Sequence, residues 1–208
     1  MDQLSLTLVT DRSQTRGRDL TAVVAECLAA GLPAVQVREK DLGAAELAAL
    51  CRRLRDLTRD RGARLIVNDR VDVALAVAAD GVQRTHASLP VDHIRNIAGK
   101  RLSIGASVHS LEDAVDAEVR GADWLVFGPV YDTPSKRRWG PPQGLDRLSK
   151  VAAAVRIPVI AIGGITPERV VAVRHAGAAG VAAIAAILDT DAPGEATRRF
   201  LEALATGA

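Results

Sequence analysis

The chain has 208 residues, with 27 Lys and Arg against 25 Asp and Glu for a formal net charge of +2. That near-balance, with no basic cluster interleaved with aromatics, argues against a nucleic-acid surface, and no apolar run approaches the ~18 residues of a membrane helix. Hydrophobic residues make up 48% but aromatics only 2%, so the core must be built from Ala, Val, Leu and Ile, as in buried parallel strands.

Short apolar runs alternate with helical patterns from one end to the other. Ser5–Val9 reads as the first strand and Leu20–Ala30 as the first helix. Cys27 lies in that helix and Cys51 in the next; neither has metal-ligand spacing, which fits buried free thiols in a reducing compartment. Ala34–Val37 and Arg64–Val67 follow as strands, separated by a helix over Ala44–Asp60. Gly81–Gln83, Leu102–Ser107 and Trp124–Phe127 supply strands four to six, with a short helix at about Val91–Ile97 and another at Ser110–Arg120. Leu145–Ala154, Pro158–Ala161, Pro167–His175 and Val181–Ile184 complete the series as helix, strand, helix and strand. Most strand candidates are too short for helices, and several are β-branched and bounded by Gly, Pro, Asn or Asp. Thr166-Pro167-Glu168 offers a capping hydroxyl and a first-turn proline, and Ser110 before Glu112 and Asp113 marks another helix start. Eight strands alternating with helices predict a parallel α/β sheet, and that count favours a closed (β/α)8 TIM barrel spanning residues 1–208 as one domain. The N-terminus lacks a basic stretch followed by an apolar core, so the expected location is the cytoplasm.

In such a barrel the chemistry belongs at the C-terminal strand ends. Strand two runs out through Gln36-Val37-Arg38-Glu39-Lys40, and alternation puts Gln36, Arg38 and Lys40 on one side, a set suited to an anion. The plain alternative is a loop with solvated charges. Strand three ends in Asn68-Asp69 and strand five in Ser107-Val108-His109, so Ser107 and His109 could share a face. An imidazole there is a natural proton carrier near neutral pH; the plain alternative is a hydrogen-bonded helix-entry residue. After strand six the stretch from Gly128 to Gly144 is long for a βα loop, and its Thr133, Ser135 and Lys136 offer donors for a phosphate or a lid. Strand seven ends in Gly163-Gly164 and strand eight runs out near Ala185-Ala186. Backbone amides in these two loops form the usual phosphate site of this barrel.

Together "VQVREK", "NDRVDVAL", "IGASVHSLEDA", "ADWLVFGPVYDTPSK", "IPVIAIGGITPERV" and "AGAAGVAAIAAI" resemble the thiamine phosphate synthase and thiazole tautomerase superfamily, from about Leu6 to Leu188. The resemblance implies a barrel acting on thiazole phosphate chemistry. A synthase joins a pyrimidine diphosphate to a thiazole phosphate and expels magnesium-bound diphosphate. By that resemblance Gln36, Arg38 and Lys40 hold the diphosphate side, with Asn68 and Asp69 beside them and Asp69 on Mg2+. Ser107 and Lys136 complete the diphosphate and pyrimidine contacts. Thr133, Ser135, Gly163 and the Ala185-Ala186 turn hold the thiazole phosphate, with Gly164 in the same loop.

One departure decides between the branches at this stage. Synthases carry His-Leu-Gly-Gln-x-Asp after strand four, and its last Asp is the second metal ligand. Here the stretch is Gln83-Arg84-Thr85-His86-Ala87-Ser88, so the acid is replaced by Ser88. Mg2+ is usually held by one or two carboxylates plus substrate phosphates, and a neutral serine cannot compensate diphosphate charge. The expectation is therefore the thiazole tautomerase branch, which carries Ser-Val-His-Ser-Leu-Glu as Ser107–Glu112 do here. In that reading His109 carries the proton that aromatises a carboxythiazole phosphate tautomer, Arg38 and Lys40 pair with its carboxylate, and no cofactor is needed. The synthase, with Mg2+ as cofactor, is the alternative, because "GPVYDTPSK" resembles its loop equally. A third alternative is a thiazole phosphate binding or regulatory protein without turnover. The expected partner is a small thiazole phosphate, with no nucleic acid and no membrane; self-association is left open.

Overall fold

A computed structural model of the chain describes residues 3–133 and 141–206. The strands are β1 (Leu6–Val9), β2 (Ala34–Val37), β3 (Arg64–Asn68), β4 (Gly81–Arg84), β5 (Ser103–Val108), β6 (Trp124–Phe127), β7 (Val159–Ile162) and β8 (Gly180–Ala183). They lie side by side in chain order, all parallel, and β8 pairs back onto β1 to close the predicted barrel. The helices are α1 (Leu20–Ala29), α2 (Ala44–Asp60), α3 (Val71–Ala76), α4 (Val91–Ala98), α5 (Leu111–Val119), α6 (Gly144–Ala154), α7 (Pro167–His175), α8 (Ala185–Leu188) and α9 (Pro193–Thr206). The sequence pattern did not predict α3, α8 or α9. Two of these are too short for a helical period to show, and α9 follows the last strand, beyond the stretch assigned. No described helix is long and apolar enough to cross a membrane.

Both faces of the strands are covered, so β1, β2, β6 and β8 are buried at every position. Outward residues such as Leu8, Val35, Leu65, Ile104, Leu125 and Val181 join the helices in one large apolar layer. Each such side chain contributes about 1.5–3 kcal/mol on burial, so this outer layer carries most of the hydrophobic stabilisation. Inward residues Val9, Ala34, Ile66, Trp124, Val126, Ile160 and Ala182 form a second, smaller cluster inside the barrel. Trp124 fills much of that lumen, and its neighbours are glycines for that reason. A Cβ on Gly105 would lie 2.2 Å from the Trp124 ring, and one on Gly81 would lie 2.9 Å from it.

Two loops at the strand starts share a device. The Asp80 carboxylate accepts from Leu65 N at 2.7 Å and is paired with Arg55 of α2 at 2.5 Å. The Asp123 carboxylate accepts from Ile104 N at 2.6 Å and is paired with Arg95 of α4 at 2.6 Å. Each closes a strand edge at the bottom and ties it to a helix. Ser110 caps α5 as predicted, its Oγ accepting from Asp113 N at 3.0 Å. Thr166 takes the predicted N-cap position ahead of Pro167 but makes no side-chain cap bond.

Candidate active site at the barrel mouth

Pairing between β1 and β2 continues one residue past the strands. Thr10 N donates to Gln36 O at 2.9 Å, and Arg38 N donates to Thr10 Oγ1 at 2.9 Å, which fixes where Arg38 leaves the sheet. Gln36 is buried in the lumen, where its Nε2 donates to Asn68 Oδ1 at 3.1 Å. Arg38 and Lys40 instead line a groove of about 880 Å³ beside Asp11, Arg12, Arg18 and Glu39. That volume is in the range of small-molecule sites. Burial pushes the Asp11 carboxyl up, but hydrogen bonds from Ser13 and Gln14 and the Arg38 cation outweigh it and hold the group below its usual range. The expected shared side is therefore split: Gln36 joins Asn68, and the two cations face the groove.

At the end of β3, Asp69 has a left-handed backbone (φ 66), a conformation that Asp and Asn tolerate better than most residues. It is held there by Asp69 N donating to Gln83 O at 2.9 Å. The Ser88 hydroxyl donates to the Asp69 carboxylate, while Ser88 Oγ accepts from Thr85 N at 2.8 Å. The two positions that the sequence singled out for a metal thus meet at the mouth, one as a carboxylate and one as an alcohol. Among the described residues no group of three or more His, Cys, Asp or Glu side chains could hold a metal ion.

Ser107 and His109 do not work as a pair. Ser107 Oγ accepts from Gln83 Nε2 at 3.0 Å, and Gln83 Oε1 accepts from Trp124 Nε1 at 3.0 Å, a chain crossing the lumen. His109 is exposed, with Nδ1 only 2.6 Å from Gly128 O. A carbonyl can only accept, so Nδ1 carries the proton and Nε2 is left as the free nitrogen. Gln83 and Trp124 escaped the sequence reading as site-forming residues. A glutamine two residues after Gly81, where the strand should face the closed lumen, was the available signal.

The opposite side of the mouth is built from backbone. Gly163 (φ 98) and Gly164 (φ 64) are both left-handed. A Cβ on Gly163 would sit 2.5 Å from Pro129, and one on Gly164 would sit 2.8 Å from Asp132 O. The loop after β6 can therefore lie directly on them, with Val130 N donating to Ile162 O at 2.9 Å and Tyr131 N to Gly163 O at 3.0 Å. Arg169 stacks 4.4 Å from the Tyr131 ring and donates to Gly164 O at 2.6 Å. Ala185 and Ala186 contribute the first amides of α8, which a helix start leaves without intrahelical acceptors. Thr133 is half-buried at the end of the β6 loop, whereas Ser135 and Lys136 lie outside the described residues.

Residues 6–187 match the family described as thiamine monophosphate synthase. The chain belongs to that family. A Geobacter sulfurreducens relative is 48% identical over 96% of this chain and 94% of its own length. The thiamine-phosphate synthase of Moorella thermoacetica is 43% identical over 97% of this chain and 96% of its own length. Among solved structures, thiamine phosphate pyrophosphorylase from Pyrococcus furiosus is 37% identical, covers 99% of this chain and 98% of its own, and superposes with a TM-score of 0.92.

These relatives overturn the expectation of a thiazole tautomerase. Relatives named thiamine-phosphate synthase are 42–43% identical over 96–97% of this chain, and the isomerase reading falls to that finding. The error lay in treating the missing acid at Ser88 as decisive. Mg2+ takes many of its ligands from water and from substrate phosphate, so one carboxylate meets its usual minimum. The expectation that no cofactor is needed rested on that same step.

Proposed function

We propose that this member of the thiamine monophosphate synthase family joins hydroxymethylpyrimidine diphosphate to thiazole phosphate and releases diphosphate. The observation that carries the reading is similarity along nearly the whole chain to proteins named thiamine-phosphate synthase. The chemistry of the mouth supports it. In this reaction a carbon–oxygen bond to diphosphate breaks, a bond from the thiazole nitrogen to the freed methylene carbon forms, and the electron pair leaves on diphosphate. No proton has to move. The demand on the protein is to stabilise leaving negative charge, which suits Arg38 and Lys40 better than an imidazole already committed to Gly128 O.

The residues present fit Mg2+. Asp69 would hold it, with the Ser88 hydroxyl beside that carboxylate and diphosphate oxygens and water completing an oxygen shell. When bound, the ion would neutralise charge on the departing diphosphate. Gln36 and Asn68 fix one another below this point, and buried Gln83 holds the Ser107 hydroxyl that in this reading meets the pyrimidine. The amides around Gly163, Gly164, Ala185 and Ala186 receive the thiazole phosphate, with Thr133 beside them at the end of the β6 loop. The test is a coupled assay for thiamine phosphate with both substrates, run with Mg2+ and again with excess chelator. Magnesium-dependent product formation is expected. Binding of both substrates by a folded protein without any product would end the synthase reading.

A further inference from the structure

The four residues of α8 are too few to hold a helix by themselves, since helix nucleation is unfavourable and short isolated helices do not persist. Burial of Ile187 and Leu188 in the core seats α8, and its C-terminal end is held from the opposite end of the chain. The Arg18 guanidinium donates to Leu188 O at 3.1 Å, to Thr190 O at 2.6 Å and to Asp191 O at 3.3 Å. Its Nε donates to Thr15 O at 3.0 Å, so the side chain is braced at its base before it reaches across. Thr15 itself is buried, and its hydroxyl is 2.7 Å from Arg18 O. Beside it, Arg16 donates to Asp189 at 2.7 Å and to Asp191 at 2.5 Å while adopting a left-handed backbone (φ 57). Thr190 Oγ1 donates to Ile187 O at 2.9 Å, so the end of α8 is secured by Thr190 and Arg18 together.

We propose that Arg18 is a positioning residue for the phosphate half of the mouth. Arg18 borders the groove that holds Arg38 and Lys40, but its guanidinium is turned to the carbonyls of Thr15, Leu188, Thr190 and Asp191 and not to that groove's anion. Its fork sets the C-terminal end of α8, and a helix of one turn transmits that placement directly to the amides of Ala185 and Ala186. A cation at a helix C-terminus also complements the dipole whose opposite end lies at Ala185 and Ala186. This rests on the synthase reading only for the identity of the phosphate. The positioning itself is a statement about α8.

The experiment compares wild type, Arg18→Ala, Arg18→Lys and Thr190→Ala. Arg18→Ala should raise KM for thiazole phosphate about tenfold, in line with lost charge-assisted hydrogen bonds, and leave KM for the pyrimidine diphosphate within about twofold. Arg18→Lys keeps one point donor and should fall between, and Thr190→Ala should shift the same KM by a smaller factor. Direct binding of thiazole phosphate, measured by calorimetry, should weaken in parallel. That measurement separates the two ideas: a wild-type protein that binds thiazole phosphate but makes no thiamine phosphate sinks the synthase reading and still tests Arg18. Equal rises in both KM values, or unchanged thiazole phosphate affinity in folded Arg18→Lys and Thr190→Ala proteins, would overturn the proposal. If Arg18→Ala does not fold, the Lys and Thr190 variants decide alone.

Discussion

The two halves of the barrel mouth are made of different material. From β2 to β5 the mouth is lined with side chains: Gln36 on Asn68, Ser88 on Asp69, and Gln83 on Ser107. At β7 and β8 it is lined with peptide groups, where left-handed Gly163 and Gly164 and the first amides of α8 meet an overlying loop. The side-chain half offers carboxylate, amide and hydroxyl oxygens, with cations in the adjoining groove, which suits a charged leaving group. The backbone half offers N–H groups at fixed spacing, which suits a phosphate that is held and not transformed. A reaction that keeps one phosphate and expels another group needs both.

The largest expected effect falls on the side-chain half. Asp69→Asn keeps the shape and the left-handed backbone that Asn tolerates, and removes only the charge. Thiamine phosphate formation should fall by ~10²–10³-fold at a given Mg2+ concentration, comparable to loss of one electrostatic contact to developing charge. KM for thiazole phosphate should stay within about twofold, because the backbone half is untouched. A change confined to the thiazole phosphate KM would mean that the two halves do not divide the work in this way.

Next in size is a change to the backbone half. Gly163→Ala must place a Cβ 2.5 Å from Pro129 on a backbone at φ 98, so either the β6 loop lifts or the β7 turn shifts. The cost should be about 2–3 kcal/mol, read as a fall in Tm of roughly 5–10 °C for a chain of this size. KM for thiazole phosphate should rise while the Mg2+ dependence stays as in wild type. An Ala variant with wild-type melting would show that Pro129 moves aside freely and that the glycine is not required by packing.

The two halves were also unequally legible in the sequence. The barrel could be read because Ala34–Val37, Trp124–Phe127, Ala44–Asp60 and Pro167–His175 have clear periods and punctuation, and their bounds agree with the structure. Gly163 and Gly164 could be placed because position after a strand, not side-chain chemistry, makes a phosphate loop. The side-chain half was harder. Alternation grouped Gln36 with Arg38 and Lys40, but a two-residue rhythm holds only while the chain stays in the sheet, and the structure parts them after Val37. Ser107 and His109 were grouped by the same rule, and Gln83 and Gly128 draw them apart. Arg18 carried no local signal for this role, because its partners at the end of α8 lie about 170 positions away along the chain. The choice of activity went astray where a missing carboxylate was weighed against an ion that brings much of its own ligand shell.

The smallest effect addresses that carboxylate directly. Ser88 already lies against Asp69, anchored by Thr85 N, so an acid at this position would point at the same ion. Ser88→Asp adds a second carboxylate where Mg2+ affinity depends on ligand charge count, and should lower the half-saturating Mg2+ concentration by roughly three- to tenfold. At saturating Mg2+ the rate should change little, since one carboxylate and the diphosphate already complete the site. In the absence of the ion two facing carboxylates repel, so the variant should melt lower in chelator than wild type and recover when Mg2+ is added. The measurement is a Mg2+ titration of initial rate, with melting curves in chelator and in Mg2+. An unchanged titration in a folded Ser88→Asp protein would place the ion away from Asp69, and the side-chain half would then have to hold diphosphate through Arg38 and Lys40 without that carboxylate.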